Sequence, residues 1–91
     1  MTFIYRLHAV ERMFEREISH EAVELCIRQG KVIERYPDDT PYPSFLTMCI
    51  DEEGEALHVV YARDGEKYIV ITAYRPDREK WSDDFTKRRD L

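Results

Sequence analysis

Apolar positions follow a helical period over the first third of the chain and an alternating one afterwards. Leu7, Val10, Met13 and Phe14 recur at three- and four-residue spacing, which predicts an amphipathic helix over Leu7 to Arg16. A second helix is expected from about His20 to Gln29, with Ser19 as N-cap and Ala22, Val23, Cys26 and Ile27 turned inward. Gly30 is expected to end it in a left-handed conformation. The short link between the two predicts an antiparallel hairpin. Ahead of them, Thr2 to Tyr5 favours β structure and suits an edge strand.

Beyond Gly30 the segments Lys31–Tyr36, Ser44–Asp51, Glu55–Arg63 and Glu66–Arg75 read as strands. Three prolines between Tyr36 and Pro43 preclude regular structure there. Asp64-Gly65 carries the type I′ hairpin signal, and Gly54 suits the left-handed position of a three-residue loop. These turns place His58 opposite Met48 on one side and Ile71 on the other. One sheet face then carries Leu46, Met48, Ile50, Ala56, His58, Val60, Ala62, Ile69, Ile71 and Ala73, and being apolar it is expected to meet the helices. The second face, with Phe45, Tyr61, Arg63, Tyr68 and Tyr74, is expected to be half-exposed. Pro76 ends the sheet, and 77–91 reads as a charged, partly helical tail anchored by Trp81 and Phe85. The expected fold is α+β, a two-helix hairpin on one face of a mainly antiparallel sheet of about four strands, in one domain over 1–91.

Composition changes this picture in two ways. With 91 residues, 43% hydrophobic and 36% charged, the chain has enough apolar material for one core and no run long enough to cross a membrane. The N-terminus has no signal-like apolar stretch, so a cytoplasmic protein is expected. The formal charge of −5 excludes diffuse binding to nucleic acid. That acidity is local, however: residues 37–66 hold eight acids against Arg63 alone, which leaves room for a small phosphate site elsewhere.

Cys26 and Cys49 lie 23 positions apart without metal-ligand spacing and are expected as small buried thiols. No metal site or cofactor motif is apparent, and Asp38, Asp39 and Tyr42 sit in what reads as a rigid crossover. Candidate chemistry starts on the first helix, where His8, Arg12 and Arg16 form one ridge suited to phosphate oxygens. His58 lies in mid-strand among apolar residues, as a core histidine or as a pKa-shifted acid or base. A helix packed by its Leu7–Val10–Phe14 stripe would turn His8 away from His58. Tyr61, Tyr68 and Tyr74 would share the opposite face, as packing groups or as platforms for single-stranded bases.

Together His8-Ala-Val-Glu-Arg-Met-Phe-Glu-Arg-Glu-Ile18, Gly30-Lys-Val-Ile33, Tyr36-Pro-Asp-Asp-Thr-Pro-Tyr-Pro-Ser44, Leu57-His-Val-Val60 and Ile71-Thr-Ala-Tyr-Arg-Pro76 resemble a small bacterial family, the domain of unknown function numbered 4258. The resemblance runs from about residue 5 to residue 81. It implies the fold of the RelE and MqsR mRNA-cleaving toxins, and a partner antitoxin of zinc-finger type. His8, Arg12, Arg16, His58 and Tyr74 match its motif positions. The expected function is therefore a toxin of a toxin–antitoxin pair, an endoribonuclease on mRNA or other single-stranded RNA that needs no metal. His8, His58 and Tyr74 would supply acid and base, and Arg12, Arg16, Tyr61 and Tyr68 would bind RNA. The rival expectation is a non-catalytic module that holds a partner protein on its aromatic sheet face.

Overall fold

The computed structural model describes residues 1–90. The chain runs β1 (Thr2–Tyr5), α1 (Leu7–Glu15), α2 (His20–Gln29), β2 (Lys31–Tyr36), β3 (Ser44–Ile50), β4 (Ala56–Asp64) and β5 (Lys67–Tyr74). All five strands form one sheet in the order β1-β5-β4-β3-β2, antiparallel except for the parallel pairing of β1 with β5. The expected α+β class holds, and Thr2–Tyr5, expected as an edge strand, makes the sheet five-stranded. Among the described residues no helix is long and apolar enough to cross a membrane.

The helix hairpin is built by local capping. Ser19 accepts a hydrogen bond from the Ala22 amide at 3.1 Å and starts α2. At the end of α1 the Ile18 amide reaches the Met13 carbonyl at 2.9 Å, and the Glu17 amide reaches Phe14 at 3.3 Å. This is a Schellman ending with Glu17 in its left-handed position at φ 55°. Met13 and Ile18, the pair that closes this motif, are both buried in the core. Gly30 ends α2 in extended backbone, not left-handed, at φ −75° and ψ 173°. Its glycine is needed for another reason: an added Cβ would lie 2.8 Å from both the Met48 carbonyl and Thr47 Oγ1.

α1 packs on β5 and α2 on β3 and β4. The sheet face they cover carries Leu57, Val59, Tyr61, Val70 and Ala73, with Phe3, Tyr5, Phe45, Cys49 and Tyr68 at the margin. This is the aromatic face, so the expected assignment of faces is reversed. α1 is turned as well. Its buried side chains are Ala9 and Met13, whereas Leu7, Val10 and Phe14 are 71%, 39% and 85% exposed. Cys26 and Cys49, expected as free thiols, join α2 to β3 as a disulfide with their Cα atoms 5.4 Å apart.

Two β-bulges account for much of what the alternation misses. The β3–β4 register is the expected one, with Met48 opposite His58. In the β4–β5 hairpin, Asp64 pairs with Lys67 and the two central residues are Gly65 and Glu66. Gly65 is in the positive-φ region at 59° and Glu66 is not, which fits a type II′ turn better than the expected type I′ turn at Asp64-Gly65. An extra residue, Ile71, then interrupts β5 between the Tyr61–Val70 and Val60–Thr72 pairs. Tyr74 thereby moves onto the face of His58, its direct partner. A second bulge at Ile33 of β2 puts Glu34 opposite Leu46 and Tyr36 opposite Ser44, on that same face.

The face away from the helices is covered in part by the tail, which is not helical. Lys80 and Trp81 amides return to the Asp77 carbonyl, Trp81 bridges Arg88, and Ser82, Asp84 and Thr86 form a hydrogen-bonded turn. Short polar side chains that bond their own backbone win over helical spacing here. Trp81 is the anchor, at 3% exposure.

Candidate functional site

The bulges, β5 and the tail converge on one cluster. His58 is fully buried, and its ring meets Trp81 edge-on at 4.5 Å. Nε2 lies 2.8 Å from the Phe85 carbonyl and Nδ1 lies 3.2 Å from the Tyr74 hydroxyl. A carbonyl only accepts, so Nε2 carries the proton and donates it. In the neutral ring Nδ1 is then bare, and the Tyr74 hydroxyl donates to it. Burial holds the His58 pKa below its ordinary value despite the Phe85 carbonyl and the nearby Glu34 carboxylate, which both favour the charged ring. Burial likewise pushes Tyr74 up. The pair therefore rests as a neutral imidazole and a protonated phenol.

The tail is fastened beside this pair by charge. Arg88 grips Glu34 with Nε at 2.9 Å and Nη2 at 3.2 Å, and its guanidinium lies 4.7 Å from the Trp81 ring centre. Tyr36 donates a hydrogen bond to the same carboxylate. Burial alone would raise the Glu34 pKa, but the bonds from Arg88 and Tyr36 bring it below the ordinary value.

Tyr74 and Trp81 line an open cavity of about 460 Å³ together with Arg16, Arg75, Asp77, Lys80 and Arg88. Arg16 arrives from the end of α1 and is held by the Ala73 carbonyl, 2.8 Å from Nη1. Arg75 is committed to Asp51 at 2.7 Å, and Arg88 to Glu34. Among the described residues, Arg16 and Lys80 have no carboxylate within 4.0 Å. The cavity thus presents two cations free of ion pairs, with the Asp77 carboxylate also in its lining, beside Tyr74, whose hydroxyl is backed by a buried imidazole. Such a site can hold an oxyanion and pass a proton.

Three of the seven residues expected from sequence come together here: His58, Tyr74 and Arg16. His8 does not; its side chain is 86% exposed on α1 and lies 3.8 Å from Glu11. Arg12 pairs with Glu15 at 3.2 Å, also on the outer surface of α1. The inverted packing of α1 separates them from His58, because the helices and the histidine lie on opposite sides of the sheet. Tyr61 is buried beneath the helices, and Tyr68 lies between Tyr61 and Phe3 in tilted ring contacts at 5.7 and 5.8 Å, with Arg63 over its ring at 5.0 Å. Both tyrosines belong to the edge of the core, so the aromatic face is not available as a free sheet surface. Sequence reasoning missed Lys80, Arg88 and Glu34. The only signal was Trp81 as an anchor, and nothing local pairs Arg88 with a carboxylate 54 residues away.

Sheet, helix layer and cavity together define a small α+β protein with a cationic pocket lined by a tyrosine that is backed by a buried histidine. The chain belongs to the family described as a domain of unknown function, DUF4258, whose model matches residues 5–75. The match includes Arg16, His58 and Tyr74, whereas Lys80, Trp81 and Arg88 lie beyond it. No curated protein and no solved structure matches the chain.

Proposed function

We propose that the protein is an endoribonuclease of the RelE-like toxin class, cleaving single-stranded RNA in the cytoplasm, with an antitoxin as partner. The element order, a strand, two helices and four strands around a mainly antiparallel sheet, agrees with that fold class. One observation carries the chemistry: Arg16, Lys80 and the Tyr74–His58 pair share a single cavity.

The reaction uses the chain's own groups. Arg16 and Lys80 hold the non-bridging oxygens of one phosphodiester and stabilise the charge that grows on them. The RNA 2′-hydroxyl gives its proton to the Tyr74 oxygen as Tyr74 passes its own to His58 Nδ1. The new bond joins the 2′-oxygen to phosphorus while the bond to the 5′-oxygen breaks. The Lys80 ammonium protonates that leaving oxygen, giving a 2′,3′-cyclic phosphate and a 5′-hydroxyl. Burial makes His58 a weaker base than a free imidazole, but it keeps the ring neutral near pH 7 with Nδ1 bare to take the proton that Tyr74 passes on.

Cleavage of a labelled single-stranded RNA by the purified protein tests the reading. Arg16→Ala and Tyr74→Phe are each expected to reduce the rate by about a hundredfold or more. His8→Ala, on the outer face of α1, is expected to leave it unchanged. An inactive wild-type protein, or a Tyr74→Phe variant with full activity, would overturn the proposal.

A further inference from the structure

One backbone outlier sits against the buried histidine. Phe85 is in the left-handed region at φ 61°, where a side chain is disfavoured and glycine is the usual occupant. The turn around it is tied down from several sides. Its own amide donates to the Ser82 carbonyl at 2.8 Å, and the Asp84 carboxylate accepts from Ser82 Oγ, Thr86 Oγ1 and the Thr86 amide at 2.7, 2.7 and 3.1 Å. Further on, Arg88 is fastened to Glu34 of β2 and lies over Trp81. The product of this conformation is the Phe85 carbonyl, set 2.8 Å from His58 Nε2. Strained backbone persists only where its surroundings over-determine it, and such positions cluster at working sites.

We infer that the tail positions the Tyr74–His58 pair: the Phe85 carbonyl, held in place by the Arg88–Glu34 clamp, fixes the imidazole as its Nε2–H tautomer and leaves Nδ1 to Tyr74. The two ring nitrogens are served unequally. Nε2 faces an atom that can only accept, whereas Nδ1, at 3.2 Å, faces a hydroxyl that can donate or accept. The proton on Nε2 therefore decides the direction of the Tyr74 hydrogen bond. With that proton on Nδ1 instead, the ring would donate to Tyr74 and could not take its proton. Once Nδ1 has taken it, the Nε2–H of the imidazolium still points at the carbonyl, which then accepts from a charged donor. Phe85, Arg88 and Glu34 thus act through His58 as positioning residues. The use of the proton transfer rests on the ribonuclease reading, whereas the hold on the ring is a property of the protein alone.

Long-range proton–nitrogen NMR of the whole protein at about pH 8, where the ring is neutral, reads the tautomer directly. The wild type is expected to show the Nε2–H form alone, with a slowly exchanging ring proton. Phe85→Gly keeps the carbonyl and suits a positive φ, so it should keep that spectrum. Phe85→Pro fixes φ at about −65° and turns the carbonyl away, so a mixture of tautomers with a fast-exchanging proton is expected. Glu34→Ala unfastens Arg88 without touching a side chain that lines the cavity. It should shift the ring in the same direction, and it carries the test should Phe85→Pro unfold. In RNA cleavage by both variants, kcat should fall about tenfold or more and KM move less. Any of four results overturns the inference: an Nδ1–H ring in the wild type, an unchanged ring in Phe85→Pro and Glu34→Ala, a Phe85→Gly ring as mixed as that of Phe85→Pro, or mixed tautomers with undiminished kcat. A wild type that cleaves no RNA defeats the ribonuclease reading instead, and the spectra still decide the tail's hold on His58.

Discussion

Single residues decide which way α1 faces, and their sizes explain why hydrophobicity alone misleads. Leu7, Val10 and Phe14 are more apolar than Ala9, yet the sheet receives Ala9 and Met13. A small and a flexible side chain at i, i+4 let the helix axis approach β5 closely, and Arg16, one turn further, still reaches the Ala73 carbonyl. The two kinds of apolar residue should respond differently to truncation. Met13→Ala is expected to cost about 2–5 kcal/mol in urea unfolding, as a buried large-to-small change. Phe14→Ser, at 85% exposure, should stay within about 0.5 kcal/mol. Equal losses would mean that Phe14 is covered in the folded protein.

At the level of elements, strand and helix limits are legible from periodicity, caps and turns. The sheet faces are not, and the reason is physical. Helices cover one side and the tail part of the other, so both faces carry apolar residues and alternation does not say which is inside. The bulges at Ile33 and Ile71 leave no mark in composition, yet they bring Glu34, Tyr36 and Tyr74 to the face of His58. Half of the candidate site was thus readable as residue types, His58, Tyr74 and Arg16, but not as a constellation. His8 and Arg12 look equivalent to Arg16 on a helical wheel, and position along the axis separates them, since Arg16 is the C-cap of α1 and reaches the Ala73 carbonyl. The link between the helices offers a test at this scale. Glu17 holds the left-handed position of the Schellman ending, which a Cβ disfavours. Glu17→Gly should therefore stabilise the protein by about 1 kcal/mol and raise Tm by roughly 4–8 °C. A lower Tm would show that the Glu17 side chain contributes more than its backbone costs.

For the molecule as a whole, His58 ties stability to pH. In the unfolded chain its ring titrates near 6.5, while burial lowers the native value. The contribution is complete above that pH. On acidification the unfolded state takes up a proton that the native ring refuses, so stability falls between about 6.5 and the native pKa. Urea midpoints from pH 7.5 down to 5 are expected to drop while the native His58 ring signal in NMR stays that of a neutral imidazole, and a flat stability profile would contradict the buried neutral ring. At lower pH, Glu34 and Asp51, whose pKa values lie below the ordinary carboxylate range, add further loss as they protonate. The parallel pairing of β1 with β5 has a consequence for synthesis. Thr2 to Tyr5 is made first, but its partner Lys67 to Tyr74 is the last strand to be made. During translation the first strand must wait unpaired until β5 has emerged, and α1, which rests on β5, waits with it. A chain cut at Glu66 lacks β5, and with it the partner of β1 and the seat of α1. The last strand therefore completes the core, and through Tyr74 and the tail it also completes the cavity.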